Sequence, residues 1–318
     1  VERSRGLGDV YKRQFLRFSW SLFYPPMPYP PFSIMQGRWW STGNPRLDHS
    51  MNKIFYLSAL LGVSFTCPFV LSGHDHKTYD RSPTRIGKVL VFGGTGWYRH
   101  PETAAINGWL SRLSDDLNMQ VDVTESSKDI SNILSRYQVL ILNNSNQLTK
   151  VLDQKQRKII EDWYAEGGGI VALHAALVRQ TEWAWLNALG GCDFDSDSEF
   201  MEAKVLVDPK AKNHPTVKGH GMEFQYKADW TNHTESVTGK PGFQVLLRVD
   251  ESTYEPVRKF FQDRGGKPMG KDHPIAWTNT LNGRFFYTEL GHDVRSLETP
   301  FGRQHIIEAI RWAARLND

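Results

Sequence analysis

EGGGIVALHAAL, residues 166–177, sets a glycine-rich turn before a short apolar run, Ile170 to Leu173, that stops at a histidine, His174. An apolar run of that length between turn signals reads as a buried strand. Its last residue then lies at the strand's C-terminal edge, where open α/β sheets place their ligands. A histidine at that point calls for a chemical reason.

The same alternation extends outward on both sides. KVLVF (88–92) predicts a strand, followed by the turn GGTGWYRHPE and a helical pattern over 102–117. QVDVTE (120–125) alternates as a second strand, DISNIL (129–134) predicts a short helix, and QVLILNN (138–144) predicts a third, fully buried strand. DQKQRKIIEDWYAEGG predicts a helix with Asp153 as its N-cap and a glycine stop at 167. Strands alternating with helices imply an α/β fold: a mostly parallel, doubly wound sheet with helices on both faces. The second half reads differently. MEAKVLVD, FQVLLRVD, HPIAWTNT and GRFFYTEL predict extra strands, the last two joined as a hairpin by the turn LNG at 281–283. FGRQHIIEAIRWAARL (301–316) predicts a closing amphipathic helix. No repeat or linker divides residues 86–316, so one domain is expected there.

The N-terminal text does not read as part of that domain. Residues 1–50 are expected to be a non-native or disordered leader, since VERSRGLGDVYKRQ resembles translated adapter sequence and FYPPMPYPPF is proline-rich without period. Residues 51–73 carry the basic, apolar and small-residue pattern of a signal peptide, with cleavage expected near Ser72 or Gly73. Residues 74–85 are polar and expected to be a flexible lead-in. The implied product is exported, periplasmic or secreted, with no membrane span after cleavage. Cys192 is then the one cysteine left, so no internal disulfide is expected. The leader also dominates the charge. The chain carries 38 basic and 35 acidic residues, and residues 1–50 hold seven and three of them. The remainder is close to neutral, without the basic footprint that nucleic-acid binding requires.

Five stretches in order, KVLVFGGTGWYRHPE, LILNNSNQLT, EGGGIVALHAAL, DHPIAWTNTLNGRFFYTELGHD and IRWAA, resemble the successive blocks of the ThuA-like family, named after a trehalose-utilisation protein. The resemblance covers residues 86–316. It implies a flavodoxin-like, class I glutamine amidotransferase-like fold and a role in carbohydrate metabolism. Processing of a sugar or keto-sugar derivative by isomerisation, hydrolysis or elimination is the implied activity. The partner it implies is a small-molecule carbohydrate. In glutamine amidotransferases the turn after the corresponding strand carries a cysteine nucleophile. Here ALHAA puts His174 near that point with no cysteine or serine in the turn, so thiol-dependent amidotransferase chemistry is not expected. A shared scaffold does not fix function. A non-catalytic carbohydrate-binding module on the same fold is the alternative reading.

His100 follows the first strand's turn, His174 ends the fourth strand, and His292 follows the late strand in LGHD. If the late strand joins the same edge, the three imidazoles converge. They would then suit a divalent transition metal such as Zn, in a three-ligand site with an open position. The same residues could instead do acid–base work without any cofactor. Asp229, Glu235 and Asp293 are the candidate carboxylate partners, Asp229 foremost. Each histidine also has a structural reading: His174 bonding a neighbouring backbone group, His100 capping the helix that starts near Pro101. His214 and His273 precede prolines and read as turn structure, while His220 and His233 follow no pattern. Gly94, Thr95, Trp97, Tyr98, Asn144 and Trp230 are the expected substrate contacts. The turn GGTGWYRH is not GxGxxG and lacks a P-loop lysine, but its glycines would let a ligand approach the backbone. Trp97, Tyr98, Trp183, Trp185 and Trp230 offer aromatic surfaces on which a sugar could stack. The chain also departs from the family. ADWTNHTE stands where many members carry DE-x-Y, with Trp230 in place of the glutamate, and CDFDSDSEF replaces a histidine-containing segment.

Overall fold

The computed structural model describes residues 85–317. The expected leader (1–50), signal peptide (51–73) and all but the last residue of the lead-in (74–85) lie outside the described residues. The first half builds β1 (Lys88–Phe92), α1 (Thr103–Ser111), α2 (Ser114–Leu117), β2 (Gln120–Thr124) and α3 (Ser127–Ile133). It continues through β3 (Val139–Asn143), α4 (Gln154–Ala165), β4 (Gly169–Leu173) and α5 (Ala184–Gly190). The second half adds β5 (Phe194–Asp197), β6 (Met201–Val207), β7 (Glu223–Ala228), β8 (Thr231–His233) and β9 (Phe243–Asp250). It closes with α6 (Lys259–Gln262), β10 (Pro274–Asn279), β11 (Arg284–Thr288), α7 (Arg295–Glu298) and α8 (Pro300–Ala313).

Nine strands form one sheet in the order β2-β1-β3-β4-β11-β10-β9-β6-β7. β1, β2, β3 and β4 are mutually parallel, and β11 adds to β4 in parallel, with Thr288 opposite Leu173. The remaining pairs are antiparallel, beginning with the β10–β11 hairpin. Period-two alternation divides each core strand between two faces. Val89 and Val91 join α1, α2 and α8 in one apolar cluster. Leu90 and Phe92 join α3, α4 and α5 in the other. Helices therefore cover both faces, as the alternating pattern requires. Fully buried Trp277, Phe285, Phe286 and Tyr287 fill the β10–β11 region, each worth roughly 1.5–3 kcal/mol of burial.

Local signals place the element ends. Asp153 caps α4: its carboxylate accepts the Gln156 N–H at 2.7 Å while the Asp153 N–H donates to Gln156 Oε1 at 2.9 Å. The helical pattern over 102–117 divides into α1 and α2, because the chain tightens where Arg112 N–H bonds the Trp109 carbonyl. β5 and β8 pair with each other in a separate two-stranded sheet that the sequence pattern did not single out, and β7 was likewise not expected. No helix among the described residues is long and apolar enough to cross a membrane.

Candidate functional site

β1, β3, β4 and β11 run in one direction, so their C-terminal ends share an edge of the sheet. The three histidines arrive there from three separate strands. His174 follows β4 at φ +46°, a left-handed conformation that a side-chain-bearing residue adopts at a cost of roughly 1–3 kcal/mol. Its carbonyl accepts a hydrogen bond from Tyr287 Oη at 3.0 Å, and the buried Ala175 and Ala176 let the turn fold tightly beneath it.

His100 is delivered by the loop after β1, which Asn146 holds in place. Asn146 Oδ1 accepts the N–H groups of Trp97 and Tyr98, each at 3.1 Å, and its Nδ2 donates to the Tyr98 carbonyl at 2.7 Å. Gly96 N–H donates to the Asn146 carbonyl at 2.9 Å, and any side chain at Gly96 would run into the main-chain carbonyl of Gln147. His292 follows β11, and the preceding Gly291 carbonyl accepts from Asn144 Nδ2 at 2.9 Å.

The three rings stand 4.8–4.9 Å apart, centre to centre. Ligand-capable nitrogens, one from each, all lie within 4.8 Å of one another. Asp229 joins them, with Oδ2 2.6 Å from His292 Nδ1 and 3.8 Å from His174 Nε2. His100, His174 and Asp229 are buried, while the His292 side chain is 33% exposed and forms the open side. Four buried atoms, His100 Nδ1, His174 Nδ1, His292 Nδ1 and Asp229 Oδ2, have no aligned hydrogen-bond partner within the protein. Buried polar atoms rarely go without one. His292 and Asp229 nonetheless lie in direct contact, and the carboxylate favours the proton on the ring. Three imidazole nitrogens and a carboxylate oxygen match the donor set of a Zn-type site.

Electrostatics separates the histidines. Burial, aided by the His292 and Arg258 charges, lowers His100 to about 3. Burial and its two neighbouring imidazoles hold His174 well below the usual histidine range. Burial opposes protonation of His292 as well, but the Asp229 and Asp197 carboxylates outweigh it and raise this residue. Burial thus holds two rings towards the neutral form, while the carboxylates beside the third favour its protonated form.

Trp97 and Tyr98 are 47% and 49% exposed, and the Tyr98 ring meets His100 edge-on at 4.8 Å. The Arg179 guanidinium lies 4.1 Å from the Trp97 ring centre. Thr95 is half-buried beside them, whereas Gly94 is buried directly over the Phe92 ring. Two expected contacts are corrected. Trp230 is fully buried within the apolar cluster under α8, so it offers no stacking face. Asn144 is fully buried, with its amide donating to Asn143 Oδ1 and the Gly291 carbonyl, so it positions the His292 loop. Trp183 and Trp185 stack on each other, and Trp183 bonds Glu161 of α4, so they serve as packing on that helix. Glu235 is engaged with Lys240 at the surface, and Asp293 with Arg295. His214 bonds Thr216 within its own turn, as expected, and His220 packs against Phe301. His273 is instead fully buried between Glu251 and the Thr231 carbonyl. Cys192 is buried, and burial pushes its thiol well up, away from the reactive thiolate form.

Residues given no site role by the sequence complete the surroundings. Asp197, at the end of β5, pairs with Arg258 through a 2.5 Å contact, and burial followed by the Asp229 charge raises Asp197 to about 7. Glu289 and His233 form a buried pair, with Nε2 3.0 Å from Oε1. The one available signal was Glu289 itself, a carboxylate in the otherwise apolar strand text FFYTEL.

The family profile described as ThuA, trehalose utilisation, matches residues 88–313. A ThuA-like protein from Bacteroides uniformis superposes with a TM-score of 0.60 at 24% identity, covering 71% of this chain and 91% of that one. A ThuA-like protein from Parabacteroides merdae gives 0.54 at 19% identity, covering 72% and 90%. At these identities the likeness concerns the fold. No curated protein sequence matches the chain significantly.

Proposed function

Because the chain belongs to the ThuA, or trehalose-utilisation, family, we propose that it acts in carbohydrate metabolism by processing a sugar or keto-sugar derivative at a divalent transition-metal centre. His100, His174 and His292 would hold the ion, with Asp229 beside them. The observation that carries this reading is the convergence of three imidazoles from three separate strands, with one ligand-capable nitrogen of each within 4.8 Å of the others.

A bound ion of this type polarises a carbonyl or activates a water. The protein's own groups supply the rest. His100 and His174 stay neutral through burial and keep their lone pairs available. Asp229 holds His292 and so fixes which ring nitrogen faces it. Trp97 and Tyr98 stand at the rim as a stacking surface for a sugar ring, on a loop held rigid by Asn146. Export belongs to the proposal as well, supported by the signal pattern of residues 51–73.

A metal-free variant of the same reading is favoured by one observation, the opposite shifts of His292 and His174. In it His292 donates a proton and His174 accepts one.

The test is the metal content of protein purified without chelators, beside His174→Ala and His292→Ala. The proposal expects close to one transition-metal ion per chain, with retention at least about tenfold weaker in either variant. Metal-free wild-type protein that still turns over a keto-sugar would replace the metal centre with the acid–base pair. Metal held equally by wild type and both variants would remove these residues from the site.

A further inference from the structure

Behind the histidine cluster lies a second polar layer. Glu289, just past β11, is fully buried; its Oε2 accepts the Thr231 N–H at 3.1 Å and its Oε1 faces His233 Nε2 at 3.0 Å. The fully buried His273 turns Nε2 to the Thr231 carbonyl at 2.8 Å and Nδ1 to Glu251 Oε1 at 2.8 Å. Glu251 in turn accepts the N–H groups of Met269 and Gly270 at 2.8 and 2.7 Å. Both main-chain groups of Thr231 are thus taken by buried ionisable side chains.

That is a costly way to hold a strand. A buried ionisable group loses several kcal/mol of solvation that an ordinary ladder bond would not. Among the described strands β8 pairs with β5 alone. Asp229 is reached from β7, whose last residue Ala228 lies opposite Met201, and is followed by Trp230, whose N–H donates to Ser198 Oγ at 2.9 Å. Thr231, two residues on, is the anchor on its C-terminal side. The backbone carbonyl of Glu289 also lies against the His174 ring and favours its proton.

We propose that Glu289 is a positioning residue for the metal centre: with His233 and His273 it anchors Thr231 and thereby sets Asp229 against His292. The inference deepens the metal-centre reading and rests on it. Burial pushes the Glu289 carboxyl well up and lowers His233 to about 3, so both shifts run towards the uncharged forms, while Glu289 Oε2 accepts from Thr231. Outer hydrogen bonds of this kind tune ligand placement, and their loss typically costs about 10–100-fold in metal affinity.

The experiment loads the full chain with cobalt(II), reading affinity and the visible ligand-field bands, in wild type, Glu289→Gln, Glu289→Leu and Ile306→Ala. Ile306 is a fully buried residue of α8, and its variant controls for general destabilisation. Glu289→Leu is expected to lose at least about tenfold in affinity and shift the bands. Glu289→Gln keeps an acceptor for Thr231 and is expected to stay within a few-fold of wild type, and Ile306→Ala is expected to keep wild-type bands. A folded Glu289→Leu with wild-type affinity and bands would overturn the inference. Should Glu289→Leu fail to fold, Glu289→Asp, which withdraws the carboxyl by one methylene, carries the same expectation and the same overturning result. Wild type that binds no cobalt would instead count against the metal centre itself. Glu289 is then judged by NMR: ring signals of His292 that move in Glu289→Leu and not in Ile306→Ala support positioning, and unmoved signals overturn it.

Discussion

His174 is the residue where backbone cost and chemistry meet. Its left-handed φ is uncommon for a residue with a side chain, and histidine is among the few, with asparagine and aspartate, that are enriched there. Replacing it by asparagine should keep that conformation while removing a ligand. His174→Asn is expected to melt no lower than wild type and to bind metal at least about tenfold more weakly. Thermal melts paired with metal titration check both halves, and a clear drop in melting temperature would contradict the backbone argument. The three histidines were legible because each follows an apolar strand or its turn, and strand ends are where such folds place chemistry. Asp197, Arg258 and His233 were not, because polar residues in irregular text look alike until the chain brings them together. Trp230 was misread for a related reason: an indole serves core and binding face equally, and burial alone separates the two.

Elements differ in the same way. The parallel strands announced themselves as continuous apolar runs because both their faces are covered. β5, β7 and β8 are short or edge-lying, carry polar residues, and left no such mark. α4 carried its own start signal, and its capping box gives a prediction confined to that helix. Asp153→Ala should cost about 1 kcal/mol of stability by chemical denaturation and leave metal binding unchanged. A change in metal binding would mean that the start of α4 is coupled to the sheet edge, along the contacts from Glu161 through Trp183 and Gln180 to Ala176. The loop after β1 predicts the opposite outcome. Gly96→Ala must move either Gln147 or the loop, so it should weaken metal binding through His100 even though residue 96 touches no ligand.

At the scale of the whole molecule, buried histidines set the response to acid. His305 is fully buried between the Thr216 carbonyl and the Thr288 hydroxyl, and burial lowers it from 6.5 to about 4. Its folded value lies below its unfolded one, so its contribution is complete above pH 6.5 and is lost as pH falls towards 4. The size is roughly 3 kcal/mol. Asp197 and Glu289, both raised, act in the opposite sense, but His100, His174, His214 and His233 share the direction of His305 and outnumber them. Stability should therefore fall between pH 6.5 and 4. The deficit of His305→Gln relative to wild type should narrow over the same interval, and a constant gap in melts across it would show that His305 is not the titrating group.

The insertion of β11 between β4 and β10 has a consequence in time. Gly169 must find Arg284 across a long stretch of intervening chain, and pairings of that kind form late because loop closure must precede their reward. His292 reaches His100 and His174 only when that strand is seated. A newly made chain cannot bring the three imidazoles together from a partly formed sheet, so the cluster is expected to be completed late in folding.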